Sequence, residues 1–158
     1  MTDLASRSSC DLLTRTACIC NNIRRADRAL TRYYDSVLAP AGVRGTQLIA
    51  LLALDEHGPL SMVRLGEELS IDRTTLSRNL HPLAARGWIR VRTGRDRRTR
   101  AVALTAAGGR VARAAVPLWG LAQSRVIERF GDAESRNLLA QLAKLRKTVN
   151  ALSENAKN

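Results

Sequence analysis

Arg95, Arg97, Arg98 and Arg100 crowd a segment that also holds Thr93, Gly94, Asp96 and Thr99. Guanidinium groups packed this closely need anionic partners, and their planar forks fit phosphate oxygens and guanine edges. Gly94 and Asp96 suit a tight turn. The flanking runs Trp88-Ile89-Arg90-Val91-Arg92 and Arg100-Ala101-Val102-Ala103-Leu104 read as its two strands. Asp96 is expected to pair with a neighbouring arginine and orient the tip, leaving Arg95, Arg97 and Arg98 to meet the anion. Just upstream, Asp72-Arg73-Thr74-Thr75 opens a helix that closes at Arg86-Gly87. Leu76, Leu80 and Leu83 share one face of it. Arg73, Thr74, Ser77 and Arg78 share the other, with Thr75 beside them. Hydroxyls and arginines at a helix start suit phosphates and base edges, aided by free N–H groups and the positive end of the helix dipole. Each good base contact contributes about 1–3 kcal/mol of discrimination. A short polar helix beside a basic ribbon suits duplex DNA, with the helix in the major groove and the ribbon tip in the narrow, negative minor groove.

Other elements must hold these two in place. Ile19, Ile23, Ala26, Leu30, Tyr33 and Val37 form one stripe of a long helix predicted over 11–38, ended by Pro40 and Gly42. Thr46 is the expected N-cap of a helix from Gln47 to His57, stopped by Gly58-Pro59. Ser61 is expected to cap a short helix to about Leu69. Ser70-Ile71 forms the turn, and Asp72 caps the next helix. Pro82 inside that helix removes a backbone bond, which costs about 3 kcal/mol. The first two turns are expected to stay regular and the last to tighten. Thr105 caps a helix toward Phe130, with a bend expected near Pro117 and Gly120. After Gly131-Asp132 comes a last helix with the stripe Leu138, Leu142, Leu145, Val149 and Leu152.

Bulk properties agree with a polyanionic partner. The 158 residues carry 26 Lys+Arg against 14 Asp+Glu, a net charge of +12. Residues 64–100 hold ten arginines and four acids, while residues 1–63 are nearly neutral. One domain is expected over 1–158. Within it, 46–104 would be the DNA-binding lobe, and 11–38 and 106–152 would be dimerisation helices whose narrow seams need a partner to bury them. Two reading helices about 34 Å apart match successive major grooves. No run is long and apolar enough to cross a membrane, no signal-peptide pattern opens the chain, and three cysteines do not make a disulfide framework. These features predict a cytoplasmic protein. The only histidines are His57 and His81, and there is no nucleophile elbow, phosphate loop or paired metal-ligand spacing. Catalysis, a metal and a cofactor are therefore not expected. A basic binder without sequence preference is the rival to a specific one.

Several segments together resemble one family. They are Leu65-Gly66-Glu67-Glu68-Leu69, Ile71 to Arg78, Leu83 with Gly87-Trp88-Ile89, Asp96-Arg97-Arg98, and Leu104-Thr105 with Gly108. With Tyr34-Asp35, Leu38, Gly42-Val43 and Thr46-Gln47 in the first two helices, the chain resembles the MarR (multiple antibiotic resistance regulator) family along nearly its whole length. The resemblance implies a mainly α fold with a small β-hairpin: a winged helix-turn-helix with long N- and C-terminal dimerisation helices. It implies a homodimeric regulator, usually a repressor of a palindromic operator, released by a small molecule or an oxidant. Arg73, Thr74, Thr75, Ser77 and Arg78 would lie in the major groove and Arg98 in the minor groove. Pro82 departs from the commonest family pattern.

The resemblance also suggests where a signal is sensed. Cys20 stands where the organic-hydroperoxide regulators of the family carry their reactive cysteine, and Tyr34 resembles a tyrosine that hydrogen-bonds that thiolate. Gly45 occupies the position of a second such tyrosine. Cys18 and Cys20, two apart on a predicted helix, would point away from each other, and Cys10 lies in the polar N-terminal segment. The competing switch is a small aromatic or anionic effector, for which Arg24, Arg28 or His57 would supply the cation.

Overall fold

A computed structural model describes residues 18–93 and 100–155. The described residues fall into two units that divide between Trp119 and Gly120. The architecture is mostly helical with a small antiparallel sheet, as the sequence implies.

Helix α1 runs Ile19–Leu38. The predicted start at Asp11 lies outside the described residues. Cys18 is the N-cap, in extended backbone, with its Sγ accepting the Asn21 N–H at 3.4 Å. The apolar stripe read from the sequence begins at Ile19, the first residue of the described helix. A single 3₁₀ turn, Ala39–Ala41, follows and closes on Gly42, whose φ of 67° needs no side chain. Helix α2 runs Gly45–His57. Thr46 does not cap it. The Gly45 N–H donates instead to Asp35 Oδ1 at 2.8 Å, and the Arg44 N–H donates to Gln47 Oε1 at 3.0 Å. A carboxylate from α1 thus does what a local cap would do, and fastens α2 to α1.

Leu60–Ser61 forms a short strand, β1. Ser61 then caps α3, Met62–Leu69, by accepting the Arg64 N–H at 3.1 Å. Ser70 takes a left-handed conformation, φ 53°, and turns the chain into α4, Arg73–Ala85. Gly66 makes this turn possible, because a Cβ there would press on the Ile71 carbonyl. Helix α4 runs unbroken through Pro82, and Arg86 closes it by donating its N–H to the Pro82 carbonyl at 3.1 Å.

Strands β2, Ile89–Thr93, and β3, Arg100–Leu104, pair antiparallel from Ile89↔Leu104 to Thr93↔Arg100. β1 adds to the far edge of β3, with Leu60 opposite Val102, giving the order β1-β3-β2. The hairpin is therefore part of a three-stranded sheet. Helix α5 runs Ala106–Phe130 and α6 runs Asp132–Asn155, with Gly131 at φ 104° between them. Thr105 caps α5 through the Gly108 N–H and donates its hydroxyl to the Gly87 carbonyl. A Cβ at Gly108 would collide with the Trp88 carbonyl, so only glycine lets α5 start against the base of β2.

One core unites the sheet and the helices of the first unit. Leu38, Leu48, Leu51, Leu65, Leu76, Leu83 and Val102 are all fully enclosed. Full burial of a leucine stabilises by about 1.5–3 kcal/mol, so this cluster is what fixes α4 against α2, α3 and the sheet. Among the described residues, no single helix is long and apolar enough to cross a membrane.

Candidate nucleic-acid interface

Helix α4 sorts its residues by face. Leu76, Leu80 and Leu83 are at most 3% exposed, while Arg73, Thr74, Thr75, Ser77 and Arg78 are all exposed. The 3.6-residue period alone dictates this separation once the leucines are buried. The five polar side chains proposed from sequence thus lie together on the solvent side of the first turns.

The helix start differs from its sequence reading. Asp72 Oδ1 accepts the N–H groups of Thr74 and Thr75, at 2.9 and 3.0 Å. Its Oδ2 accepts the Thr75 hydroxyl at 2.6 Å. The Thr75 side-chain hydrogen bond is the main reason the Asp72 carboxyl is held below the usual carboxylate range. Two N–H groups offered to a phosphate in the sequence reading are therefore taken by Asp72, whose charge also offsets the positive helix end. Thr75 is tied to this cap, which leaves Arg73, Thr74, Ser77 and Arg78 as the candidate contacts outside it.

Arg95, Asp96, Arg97 and Arg98 lie outside the described residues. The stem that carries them is described, and it adds two cations. Arg90 and Arg92 are exposed at alternate positions of β2, so they share one face of the strand. Their spacing by two in a strand pattern was the signal that could have placed them in the basic surface from sequence.

Arg86 is the residue that sequence reasoning missed. Standing between a reading helix and a basic wing, it would ordinarily be counted as one more phosphate contact. Its Nη1 donates to the Gly42 carbonyl, and its guanidinium carbon lies 4.8 Å from the centre of the Trp88 ring. It thus ties the end of α4 to the turn after α1 and to the root of the wing.

A model described as "MarR family" matches residues 41–99. The organic hydroperoxide resistance transcriptional regulator of Bacillus subtilis is 31% identical over 103 residues, covering 65% of this chain and 70% of that protein. Transcriptional regulator MosR of M. tuberculosis, solved in complex with DNA, is 34% identical with a TM-score of 0.72, covering 84% of this chain and 98% of that one. The chain belongs to the MarR family. An uncharacterized HTH-type transcriptional regulator of B. subtilis, YwoH, is 27% identical, and the match spans 62% of its length. A mutant MarR of E. coli complexed with operator DNA is 22% identical with a TM-score of 0.71, a likeness of fold. These MarR-family relatives are transcriptional regulators and not enzymes.

The candidate sensor residues of this MarR-family chain are spread along α1. Cys20 is exposed and Cys18 is half-buried. The expectation that both lie on the helix does not hold for Cys18, which stands outside it as its cap. Cys10 lies outside the described residues. Cys20 and Tyr34 are fourteen residues apart on one helix, which puts them about 21 Å apart along its axis. A bond between them can form only across two copies of the chain. Tyr34 is half-buried, and burial followed by the neighbouring Tyr33 pushes its phenol above its usual range. The rings of the two tyrosines meet edge to face at 6.0 Å.

The residues expected to hold an anionic effector are not brought together as a site. Arg24 and Arg28 are exposed on α1. His57 Nε2 lies 3.6 Å from Glu68 Oε1, so its partner is a carboxylate already in the chain. The described cavities are lined by other residues. Among the described residues, no three His, Cys, Asp or Glu side chains are grouped to hold a metal ion.

Proposed function

We propose that this chain is a homodimeric, sequence-specific transcriptional regulator, acting in the cytoplasm as a repressor of a palindromic operator in duplex DNA. The observation that carries this reading is the sorting of α4, with three leucines locked in the core and Arg73, Thr74, Ser77 and Arg78 facing outward together. The helix would enter the major groove, with Thr75 holding its start in shape. Arg95, Arg97 and Arg98 at the wing tip would reach the minor groove, oriented by Asp96, and Arg90 and Arg92 would follow the phosphates. The 11–38 and 106–152 segments would join two copies and set the spacing of the two reading heads, with 46–104 as the reading lobe.

The switch we favour is oxidation of Cys20. It is the exposed thiol on α1, the helix whose apolar stripe a second copy would cover. A peroxide would convert its thiolate to sulfenic acid, with the peroxide reduced to an alcohol or water. The new polar group in the seam would change the spacing of the reading heads. A ligand-driven release would work by the same logic, through tighter binding to one dimer geometry.

Footprinting on DNA upstream of the chain's own gene, with random DNA as competitor, tests the reading. A symmetric footprint resisting competition by about 10³-fold or more supports it. Equal affinity for random DNA would reduce the protein to a general binder. Adding peroxide should erase the footprint for the natural chain and for Cys18→Ser, but not for Cys20→Ser. Release of the Cys20→Ser protein by peroxide would rule Cys20 out as the sensor.

A further inference from the structure

A cavity of about 370 Å³ opens among α2, α3 and α5, within the first unit. Its volume falls in the range of small-molecule sites. Ile49, Leu52, Val116 and Trp119 supply apolar wall, and Ile49 and Trp119 leave 52% and 40% of their surface open. The charged groups on the wall are Glu56 and Glu68, and no lysine or arginine lines it. That is unusual in a chain of net charge +12. Glu68 is shared with His57 at 3.6 Å, whereas Glu56 has no ion-pair partner among the described residues. An organic anion here would meet two carboxylates and no cation.

We propose that this cavity binds an arylalkylammonium ligand. The hydrocarbon body would lie against Ile49, Leu52 and Val116. The ammonium would sit over the Trp119 ring and beside the Glu56 carboxylate, because an aromatic face and a carboxylate both attract a cation. This reverses the expectation of an anionic effector held by Arg24, Arg28 or His57. The site deepens the regulator reading and rests on it only for its consequence at DNA: α3 forms one wall and leads through Ser70 directly into α4.

Three probes that share one body test it: phenylbutylammonium, phenylbutanol and phenylbutyrate. Calorimetry on the full chain without DNA should find the ammonium bound at least about tenfold more tightly than the carboxylate, with the alcohol between. Non-specific attraction cannot produce this order, since a chain of +12 favours the anion everywhere else. Glu56→Gln with Glu68→Gln should erase the preference while leaving the alcohol's affinity unchanged, which also shows that the variant is folded. Trp119→Leu should weaken the ammonium most. Equal or tighter binding of phenylbutyrate would overturn the proposal. So would a preference that survives the double variant, or no binding because a second copy seals the groove. A chain that binds the ammonium but ignores its operator would refute the regulator reading and leave this one intact.

Discussion

The reading lobe and the end helices treat their apolar residues in opposite ways. In α2, α3 and α4, the leucines at helical spacing are enclosed by the chain itself, with Leu48, Leu51, Leu65, Leu76 and Leu83 at 0% exposure. In α1 the stripe members Ile19, Ile23 and Leu30 are 61%, 40% and 43% exposed. In α6, Leu138, Leu142, Val149 and Leu152 are also exposed, and no residue of that helix is buried. The same four-three periodicity thus has two outcomes. Uncovered leucines in series are a cost to a lone chain and a source of stability on association. The difference supports the proposal that the lobe reads DNA and the ends pair two copies.

Substitution can break that contrast. Leu138→Glu with Leu142→Glu should split the dimer and lower operator affinity by about 10²–10⁴-fold, because each half-site must then be held alone. Sedimentation and gel shift measure the two effects. Leu76→Ala should cost about 2–5 kcal/mol of unfolding free energy by leaving a cavity. That loss should not depend on protein concentration, whereas the loss from Leu142→Ala should grow on dilution. If both behave alike, the lobe and the ends are one cooperative body and the contrast is only one of exposure.

Legibility in the sequence follows the range of the forces involved. The caps at Ser61, Asp72 and Thr105 were readable because each acts on N–H groups two or three residues away. The leucine face of α4 and the β2–β3 ladder were readable because period alone sets them. What was not readable depends on distant partners. Asp35 displaces Thr46 as the cap of α2 from ten residues upstream. β1 is two residues long and exists only because it meets β3 some forty residues later. The cap at Cys18 was not readable either, because a thiol is not among the usual N-cap side chains. In the site, the exposure of the candidate residues and the Asp72 cap were legible, but the commitment of the Thr75 hydroxyl to that cap and of Arg86 to Gly42 and Trp88 was not.

Arg86 sharpens the contrast at its joint, since it bonds the turn after α1 and closes the reading helix. If Arg78 reads a base, Arg78→Ala should cost about 1–3 kcal/mol and relax specificity at one operator position. If Arg92 follows the phosphates, Arg92→Ala should flatten the plot of log affinity against log salt by about one unit. Arg86→Ala should leave that slope unchanged, because its guanidinium is turned to Gly42 and Trp88 and not to DNA. It should instead narrow the gap between operator and random DNA, with non-specific affinity kept. Arg86→Lys should fail to restore the gap, since an ammonium cannot span both partners as a planar fork does. A lowered slope for Arg86→Ala would return this residue to the phosphate contacts.

The smallest expected effect concerns the start of α4. Asp72 is held below the usual carboxylate range by the Thr75 hydroxyl and by N–H groups of the first turn. The folded chain therefore binds fewer protons at this site than the unfolded chain does. The cap's contribution is fully present above the unfolded value of about 3.9, and it is lost as pH falls through the lower folded value. Asn at this position can still accept the N–H bonds but does not titrate. Asp72→Asn should thus melt slightly below the natural chain at neutral pH, and the two should converge as the pH is lowered past that window. At neutral pH the same variant removes a negative charge from the helix end that would face DNA. Its non-specific affinity should rise modestly at low salt, and the rise should fade as salt is added. Unchanged affinity would mean that α4 enters its groove with this end turned away from phosphate, so that Arg73 and Arg78, and not the helix start, set its position on the duplex.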